Sequence, residues 1–391
     1  MKHLLLVGGH DETFARFVGL PYRFSAIQLE SSIGDAQRAL LGRIEVVPVL
    51  DASVVAERAR SMHAADPVDL VFSFTEDGLL PAAAVARELG IEGIDYDACL
   101  ACIDKPVMRA RFEHTAYRID SAHCTALDQA LAFFAAHPRG VVLKDPRGAG
   151  SRHVAIAYTA AEVEAHWTAL IAHIGHVLVE EYIGGHEYSV ETLTIRGRHE
   201  VLGITEKHLR DGTLVEELHV FPATGLGADL AARIDALAIG VLDTLGYRHG
   251  PCHIEVKVDD GEVRLIEINN RAGGDFIWEL VWLTRGVDMF RETLAYAFEG
   301  GPDASARTGI ARHATAASRF FFVPQREADV RAALEGVSIE RCLLDDDDNV
   351  LRPVNDSDDR YGVIVIGAAH EQPLRAALSR AAAAVPAASA A

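Results

Sequence analysis

Apolar and polar positions alternate along this chain in two distinct textures. Over residues 1 to about 100 short apolar runs are separated by helical stretches. Leu4-Leu5-Leu6-Val7 stops at Gly8-Gly9, and further strands are read at Ile44 to Val49 and Val68 to Phe74, with helices over Ala52 to Ala64 and Leu79 to Leu89. Strand–helix alternation of this kind predicts a small, mostly parallel α/β sheet. Gly8-Gly9 is not followed by G-x-G-x-x-G, which argues against a dinucleotide fingerprint.

From about residue 105 the texture changes. A short helix carries Asp104-Lys105 and Met108-Arg109. A helix over 127–136 leads into a strand Val141 to Lys144, then a loop of small residues, Gly148-Ala149-Gly150-Ser151. A strand Val154 to Tyr158, a helix Ala160 to Ile174 and a strand Val177 to Glu181 follow. Residues 186–206 read as a hairpin around Arg196-Gly197, and residues 227–245 as a helix. Past Ala304 to Arg307, read as a linker, strands are expected at Ser318 to Val323, Val350 to Pro353 and Tyr361 to Ile366. Asp345 to Asp348 reads as a solvated turn, and the alanine-rich segment Ala381 to Ala391 as a fraying end.

The most informative stretch is His253 to Gly274, which reads as two strands around a turn. Ile254, Val256 and Val258 point one way and Glu255 and Lys257 the other; Ile266 and Ile268 oppose Glu267 and Asn269 in the same manner. If both apolar rows face the core, odd residues pair with odd. That parity disfavours a two-residue Asp-Gly turn and predicts an odd-length loop, Asp259-Asp260-Gly261. Glu255, Glu267 and Asn269 then form one cluster of hard oxygens, the donor set of magnesium shared with phosphates. A half-exposed hairpin with a wet polar side produces the same alternation. Arg271 and the glycine pair Gly273-Gly274, directly beyond the acids, favour the anion-binding reading.

Composition narrows the function classes. The chain has 391 residues and a formal charge of −20. Its length suits two or three domains. The acidity argues against broad nucleic-acid binding and against an anionic membrane surface, without excluding a local basic pocket. Five irregularly spaced cysteines, Cys99 and Cys102 in a lone C-x-x-C among them, read as reduced, buried thiols. No secretory signal pattern opens the chain and no apolar run reaches membrane-spanning length, so a cytoplasmic location is expected.

Four features then fall in order: Lys105, Lys144 before the glycine loop, Glu180-Glu181-Tyr182-Ile183 with Glu187 beyond it, and the acids with Arg271. This order resembles the ATP-grasp superfamily of carboxylate–amine ligases, well over residues 68–290 and more weakly outside them. Several segments resemble the L-amino acid ligases, which join amino acids into dipeptides: Phe74-Thr75-Glu76, Asp104-Lys105 with Arg109, Thr205-Glu206-Lys207, Val215-Glu216 with His219 and Pro222-Ala223, Gly250 to Glu255, and Asp359-Arg360-Tyr361-Gly362.

The resemblance implies an α/β (α+β) ATP-grasp fold. An N-terminal parallel α/β domain would occupy 1–103. A small ATP-grasp subdomain would span 104–184, a large one with the metal and substrate site 185–303, and a strand-rich C-terminal subdomain 304–385, with a frayed tail over 386–391. It implies ATP and Mg2+, with Mn2+ as a substitute, small amino-acid or carboxylic-acid substrates, and a homodimer by family habit. Lys105, Lys144, Gly148, Gly150 and Ser151 would hold phosphates, Glu180 to Ile183 would form the adenine hinge, and Glu187 would take the ribose hydroxyls. Glu255, Glu267 and Asn269 would bind the metal. Arg271, Gly273 and Gly274 would hold the acylphosphate and its tetrahedral oxyanion, and Glu216 and His219, read as a pair on a loop, would recognise or deprotonate the amine. Asp275 is either a helix N-cap or a pocket residue selecting a cationic or hydroxylated amino acid. The chain departs from the family pattern at His153, where a further glycine is usual, and at Asn270, where proline is usual.

Two other readings share parts of this pattern. Purine-type ligases and carboxylases acting on formate, bicarbonate or glycine have the same architecture, and a nucleotide-binding regulator would need no turnover. The absence of a serine or cysteine triad is consistent with acylphosphate chemistry, which needs no covalent nucleophile.

Overall fold

The computed structural model describes residues 1–148, 150, 152–299, 309–345, 354 and 356–384. Three sheets organise them. The first contains β1 (His3–Val7), β2 (Arg23–Leu29), β3 (Arg43–Val47), β4 (Leu70–Phe72) and β5 (Glu92–Gly93), all parallel in the order β3-β2-β1-β4-β5. Leu4 to Val7 are fully enclosed, as a parallel strand covered on both faces requires. Strand β2 escapes a hydrophobic-run reading because it buries polar side chains. Ser25 bonds His3 Nε2 at 2.8 Å, and Gln28 donates to the Gly9 carbonyl at 2.9 Å.

The second sheet contains β6 (Ser121–Cys124), β7 (Val141–Lys144), β8 (Val154–Ala157) and β9 (Val177–Glu181), antiparallel in the order β6-β9-β7-β8. The helices Leu127–Ala136 and Ala160–Ile174 cover one face. Val141, Leu143, Val177 and Val179 pack there with Val163, Trp167 and Leu170. The alternation of a β-strand therefore sends Lys144 and Glu180 to the opposite face.

The third sheet contains β10 (His186–Ile195), β11 (Arg198–Leu209), β12 (Glu216–Phe221), β13 (His249–Asp259), β14 (Glu262–Asn269), β15 (Thr315–Phe321), β16 (Ser338–Leu344) and β17 (Gly362–Ala368). Its order is β14-β13-β10-β11-β12-β15-β17-β16, so the strands on either side of residue 304 share one continuous antiparallel sheet. The helix Ala228–Leu245 lays Ile234, Leu237, Val241 and Leu242 over Val190, Ile204, Ile254 and Ile268. The helices Glu327–Ala333 and Glu371–Ala384 cover the C-terminal strands of this sheet. Ala381, expected to fray, is buried in that core with Leu374 and Leu378. The strand expected over 350–353, the linker 304–307, most of the acidic turn 345–348 and the tail 386–391 lie outside the described residues. Among the described residues, no helix is long and apolar enough to cross a membrane.

The β13–β14 hairpin corrects the expected turn. Asp259 pairs with Glu262, so the turn is the two-residue Asp260-Gly261, with φ of 49° and 82° as a type I′ turn requires. Parity is restored farther along by a bulge. Val256 pairs with Leu265 but Glu255 pairs with Glu267, which leaves Ile266 as the extra residue. Leu265 and Ile268 therefore face the core, while Ile266 turns to the opposite side. Glu255 and Glu267 meet directly across the ladder, on the shared face that the parity argument expected.

Gly261 has no neighbour that a Cβ would strike, so its cost of substitution is purely conformational. Gly261→Ala is expected to lower the unfolding free energy by about 1 kcal/mol. Urea denaturation checks this; an unchanged midpoint would contradict the left-handed turn.

Candidate active site

The second sheet faces the third across a cavity. Lys105, Lys144, Gly148, Gly150, Glu180 to Ile183, Glu187, Glu216, His219, Glu255, Glu267, Asn269, Arg271, Gly274 and Asp275 all line it. Thus nearly every residue selected from sequence reaches one space. Ser151 lies outside the described residues. Gly273 does not line the cavity; a Cβ there would stand 2.8 Å from His253 Nδ1, so this glycine makes room for a buried imidazole.

At one end, Glu180 sits between two cations. Arg109 grips its carboxylate through Nε at 2.7 Å and Nη2 at 3.1 Å, and Lys144 Nζ is 2.6 Å from Oε2. Burial alone would raise the Glu180 carboxyl, but Arg109 and Lys144 outweigh it and hold it down to about 2. The Glu180 side chain is therefore a clamp on Lys144. Arg109 also donates to the Ile266 carbonyl at 2.6 Å, using the backbone exposed by the bulge. Lys105 donates to the Gly148 carbonyl at 2.6 Å and lies 3.1 Å from Glu267. Both residues come from the helix Lys105–Phe112, whose start is capped by Asp104 accepting from the Val107 N–H.

The Glu181 and Tyr182 N–H groups are already bonded to the carbonyls of Asp120 and Gly140. Backbone reading of a planar base would fall to the remaining groups of this segment, with the Tyr182 and Ile183 side chains beside it. Tyr182 meets Tyr158 edge-on.

The middle of the cavity is organised by Lys207, the last residue of the Thr205-Glu206-Lys207 segment, whose role no sequence pattern discloses. Its Nζ lies 2.7 Å from Glu187, 3.0 Å from Glu255 and 3.3 Å from Glu216. Burial would lower its pKa; the three carboxylates reverse that and hold the ammonium well above its usual value. Behind it, His253 bridges Glu191 at 3.0 Å and Glu255 at 3.2 Å. Burial would depress this imidazole too, yet Glu191, aided by Glu255, pushes it up to about 9. Glu191 is itself fully buried and accepts from Ser189 and Thr205 hydroxyls. A lysine and a histidine at alternate positions of apolar strands were the available signals for this network.

At the far end, Glu216 and His219 lie on β12, not on a loop. An i, i+3 pair on a regular strand faces opposite ways. Here Lys207 pairs with His219 but Leu209 pairs with Glu216, so a bulge puts both on one face. Asp275 is not the helix cap: Phe276 holds the N-cap position of the helix Ile277–Arg285, without a side-chain bond. Asp275 adopts φ of 55° and aims its carboxylate at His219 Nε2 (3.1 Å) and Arg360 Nη1 (2.8 Å). These two partners overcome the effect of burial and keep the Asp275 carboxyl well below the ordinary range. Arg360 also reaches the Glu216 carbonyl at 2.8 Å and stacks on Phe320 at 3.8 Å. His219 Nδ1 is buried without a hydrogen-bond partner. Arg271 contacts Glu76 of the N-terminal domain at 3.2 Å.

Residues 139–279 match the family model of the ATP-grasp domain. Carnosine synthase 1 of Gallus gallus is 28% identical over 167 residues, 39% of this chain and 18% of that protein. Dapdiamide A synthase of Enterobacter agglomerans is 30% identical over 164 residues, 39% of this chain and 38% of that protein. The chain thus matches well under half the length of these two relatives. Among solved structures, L-amino acid ligase from Bacillus licheniformis aligns with a TM-score of 0.77 at 18% identity, over 98% of this chain and 97% of that one. N5-carboxyaminoimidazole ribonucleotide synthetase from Thermus thermophilus aligns with a TM-score of 0.70 at 17% identity, over 99% and 100%.

The elevated His253 has a stability signature. A group raised in the folded state stabilises fully below its unfolded value, near 6.5, and loses that contribution as pH rises through about 9. The unfolding free energy should fall over that window by on the order of 2–3 kcal/mol. His253→Gln should remove most of the slope and lower stability at pH 6. Urea titrations across the window check this; parallel profiles for the two proteins would refute a charged His253.

Proposed function

We propose that this chain, whose residues 139–279 match the ATP-grasp domain, is an ATP-dependent carboxylate–amine ligase that joins amino acids through an acylphosphate. One observation carries the reading: Lys105 and Lys144 on one wall of the cavity face Glu255, Glu267 and Asn269 on the other, with Arg271 and Gly274 beyond. Cations, hard oxygens and an arginine in that order suit a triphosphate, its metal and an acyl acceptor.

In this reading Lys144, fixed by Glu180, and Lys105 bind the phosphates, with backbone amides near Gly148 and Gly150. Ile183 and Tyr182 flank the base, and Glu187 turns an oxygen to the ribose hydroxyls. The donor set fits a hard divalent cation. Glu255 and Glu267 are ladder partners, Asn269 adds a neutral oxygen, and the protein neutralises these acids with Lys207, His253 and Lys105. Glu255, Glu267 and Asn269 would hold magnesium, which when bound neutralises phosphate charge.

A substrate carboxylate oxygen attacks the γ-phosphorus, and the bond to the β-bridging oxygen breaks, releasing ADP. Arg271 balances the charge of the acylphosphate. An amine nitrogen then attacks the acyl carbon, the backbone near Gly274 supports the oxyanion, and phosphate leaves with the C–O electron pair. The amine proton passes to Glu216 or His219. Asp275, bonded to His219 Nε2, orients that ring.

Asp275 is already matched by Arg360 and His219, so it suits a small neutral or hydroxylated partner better than a cationic one. A specific observation also favours a second reading, a purine-type ligase or carboxylase: the full-length fold likeness to N5-carboxyaminoimidazole ribonucleotide synthetase. ADP release that requires bicarbonate and a ribonucleotide would select it.

The decisive assay combines protein, ATP, magnesium and amino-acid pools. ADP, phosphate and a new amide are expected by mass spectrometry, whereas AMP with pyrophosphate would overturn the reading. Glu267→Gln should cut ADP formation by more than about 100-fold while the unfolding midpoint changes little. Asp275→Ala should alter the ratio of kcat/KM values between amino acids; an unchanged ratio with lower stability alone would reduce Asp275 to a structural role.

A further inference from the structure

A second polar cluster lies on the opposite face of the large sheet. Strand alternation puts Glu187 of β10 and Lys207 of β11 into the cavity, so their neighbours His186, Glu206 and His208 project from the other side. The two histidine rings meet edge-on, with centroids 5.6 Å apart across the adjacent strands. Glu206 Oε1 is 2.8 Å from His208 Nε2 and 3.9 Å from His186 Nε2. His208 Nε2 is buried, and its short approach to Glu206 is poorly aligned for a hydrogen bond. Each residue offers one ligand atom, and these atoms all lie within 4.8 Å of one another. A tetrahedral zinc ion with bonds near 2.1 Å separates its ligand atoms by about 3.4 Å, which falls between the two observed distances.

We propose that His186, Glu206 and His208 bind a divalent first-row transition metal, zinc by preference, at a site separate from the nucleotide cavity. The nitrogen-rich donor set selects zinc over magnesium, which prefers all-oxygen shells. Burial and the neighbouring His208 hold His186 below its ordinary pKa, which favours the neutral ligating form. Arg375 donates to Glu206 Oε2 at 2.5 Å and so turns Oε1 toward the histidines, the task of an outer-shell partner. Nearly half of the His186 side chain is exposed, so the ion has an approach from solvent and an open position for water. The site ties β10 to β11 directly behind Glu187 and Lys207, and occupancy would stiffen the strands that carry them.

The test uses the full chain, stripped with a chelator and titrated with zinc against a chromophoric competitor in excess magnesium. One equivalent of zinc is expected. His186→Gln and His208→Gln should each weaken it on the order of 100-fold, and Arg375→Ala about tenfold, as loss of an outer-shell partner does. Far-UV circular dichroism and the thermal midpoint monitor folding of each variant. A crystal soaked in zinc should show anomalous density between the three residues. Wild-type affinity retained in the double histidine variant, or zinc found only among the cavity acids, overturns the proposal.

Discussion

The large sheet is knitted by one buried ammonium. Lys207 stands on β11, and its three carboxylate partners come from β10, β12 and β13. In the sheet order β13-β10-β11-β12, a single charge therefore touches every one of four adjacent strands. Such a group is costly to desolvate, and its value lies in what its removal would leave: three acids facing one another without their shared cation. The ion thus fixes where the cavity wall stands, turns Glu187, Glu216 and Glu255 inward, and holds the Glu255 carboxyl well below its usual range. His253 extends the same logic one layer deeper, between Glu191 and Glu255. Gly273 belongs to this device, since only a residue without a Cβ leaves space for that imidazole.

The two walls are joined by the same kind of contact. Arg109 binds Glu180 of the small sheet and the Ile266 carbonyl of the large one, while Lys105 spans from Gly148 to Glu267. These contacts are exchangeable in different degrees. Lys144 and Arg109 neutralise a buried carboxylate that has no other partner of comparable strength. Lys105, as buried as Lys144, meets a carboxylate less enclosed than Glu180, so an incoming anion can compete for it at lower cost. Burial of the partner carboxylate, rather than of the lysine, sets how exchangeable each contact is.

How much of this was legible follows from what periodicity encodes. Elements with a clean period stand where the sequence placed them: the helices over 127–136 and 160–174, the strands around Lys144 and Glu181, and the turn at Arg196-Gly197. Residues carrying chemistry at unusual positions in those elements also converged. What escaped depends on geometry that a period cannot carry. Each β-bulge shifts parity by one residue, so Ile266 left the core and Glu216 joined His219 on one face. The Asp260-Gly261 turn looked forbidden only because the bulge that restores the register was invisible. Glu180 was read as part of a hinge because its partner, Arg109, is 71 positions away. Asp275 looked like a cap because Asp before a helix usually is one; its φ of 55° and the distant Arg360 redirect it.

Arg360 gives the C-terminal strands a share in the cavity wall. It lies just before β17, stacks on Phe320 of β15 and reaches both Glu216 on β12 and Asp275 beyond β14. The Asp275 end of the cavity is therefore closed by residues far apart in sequence, and it depends on the sheet being continuous past residue 304. Asp275 is thereby neutralised within the protein. A pocket whose acid is already paired discriminates by size and by hydrogen bonds to the remaining lone pairs, not by net charge. A cationic side chain there would have to displace a stacked guanidinium, trading one well-placed ion pair for another at the added cost of unstacking.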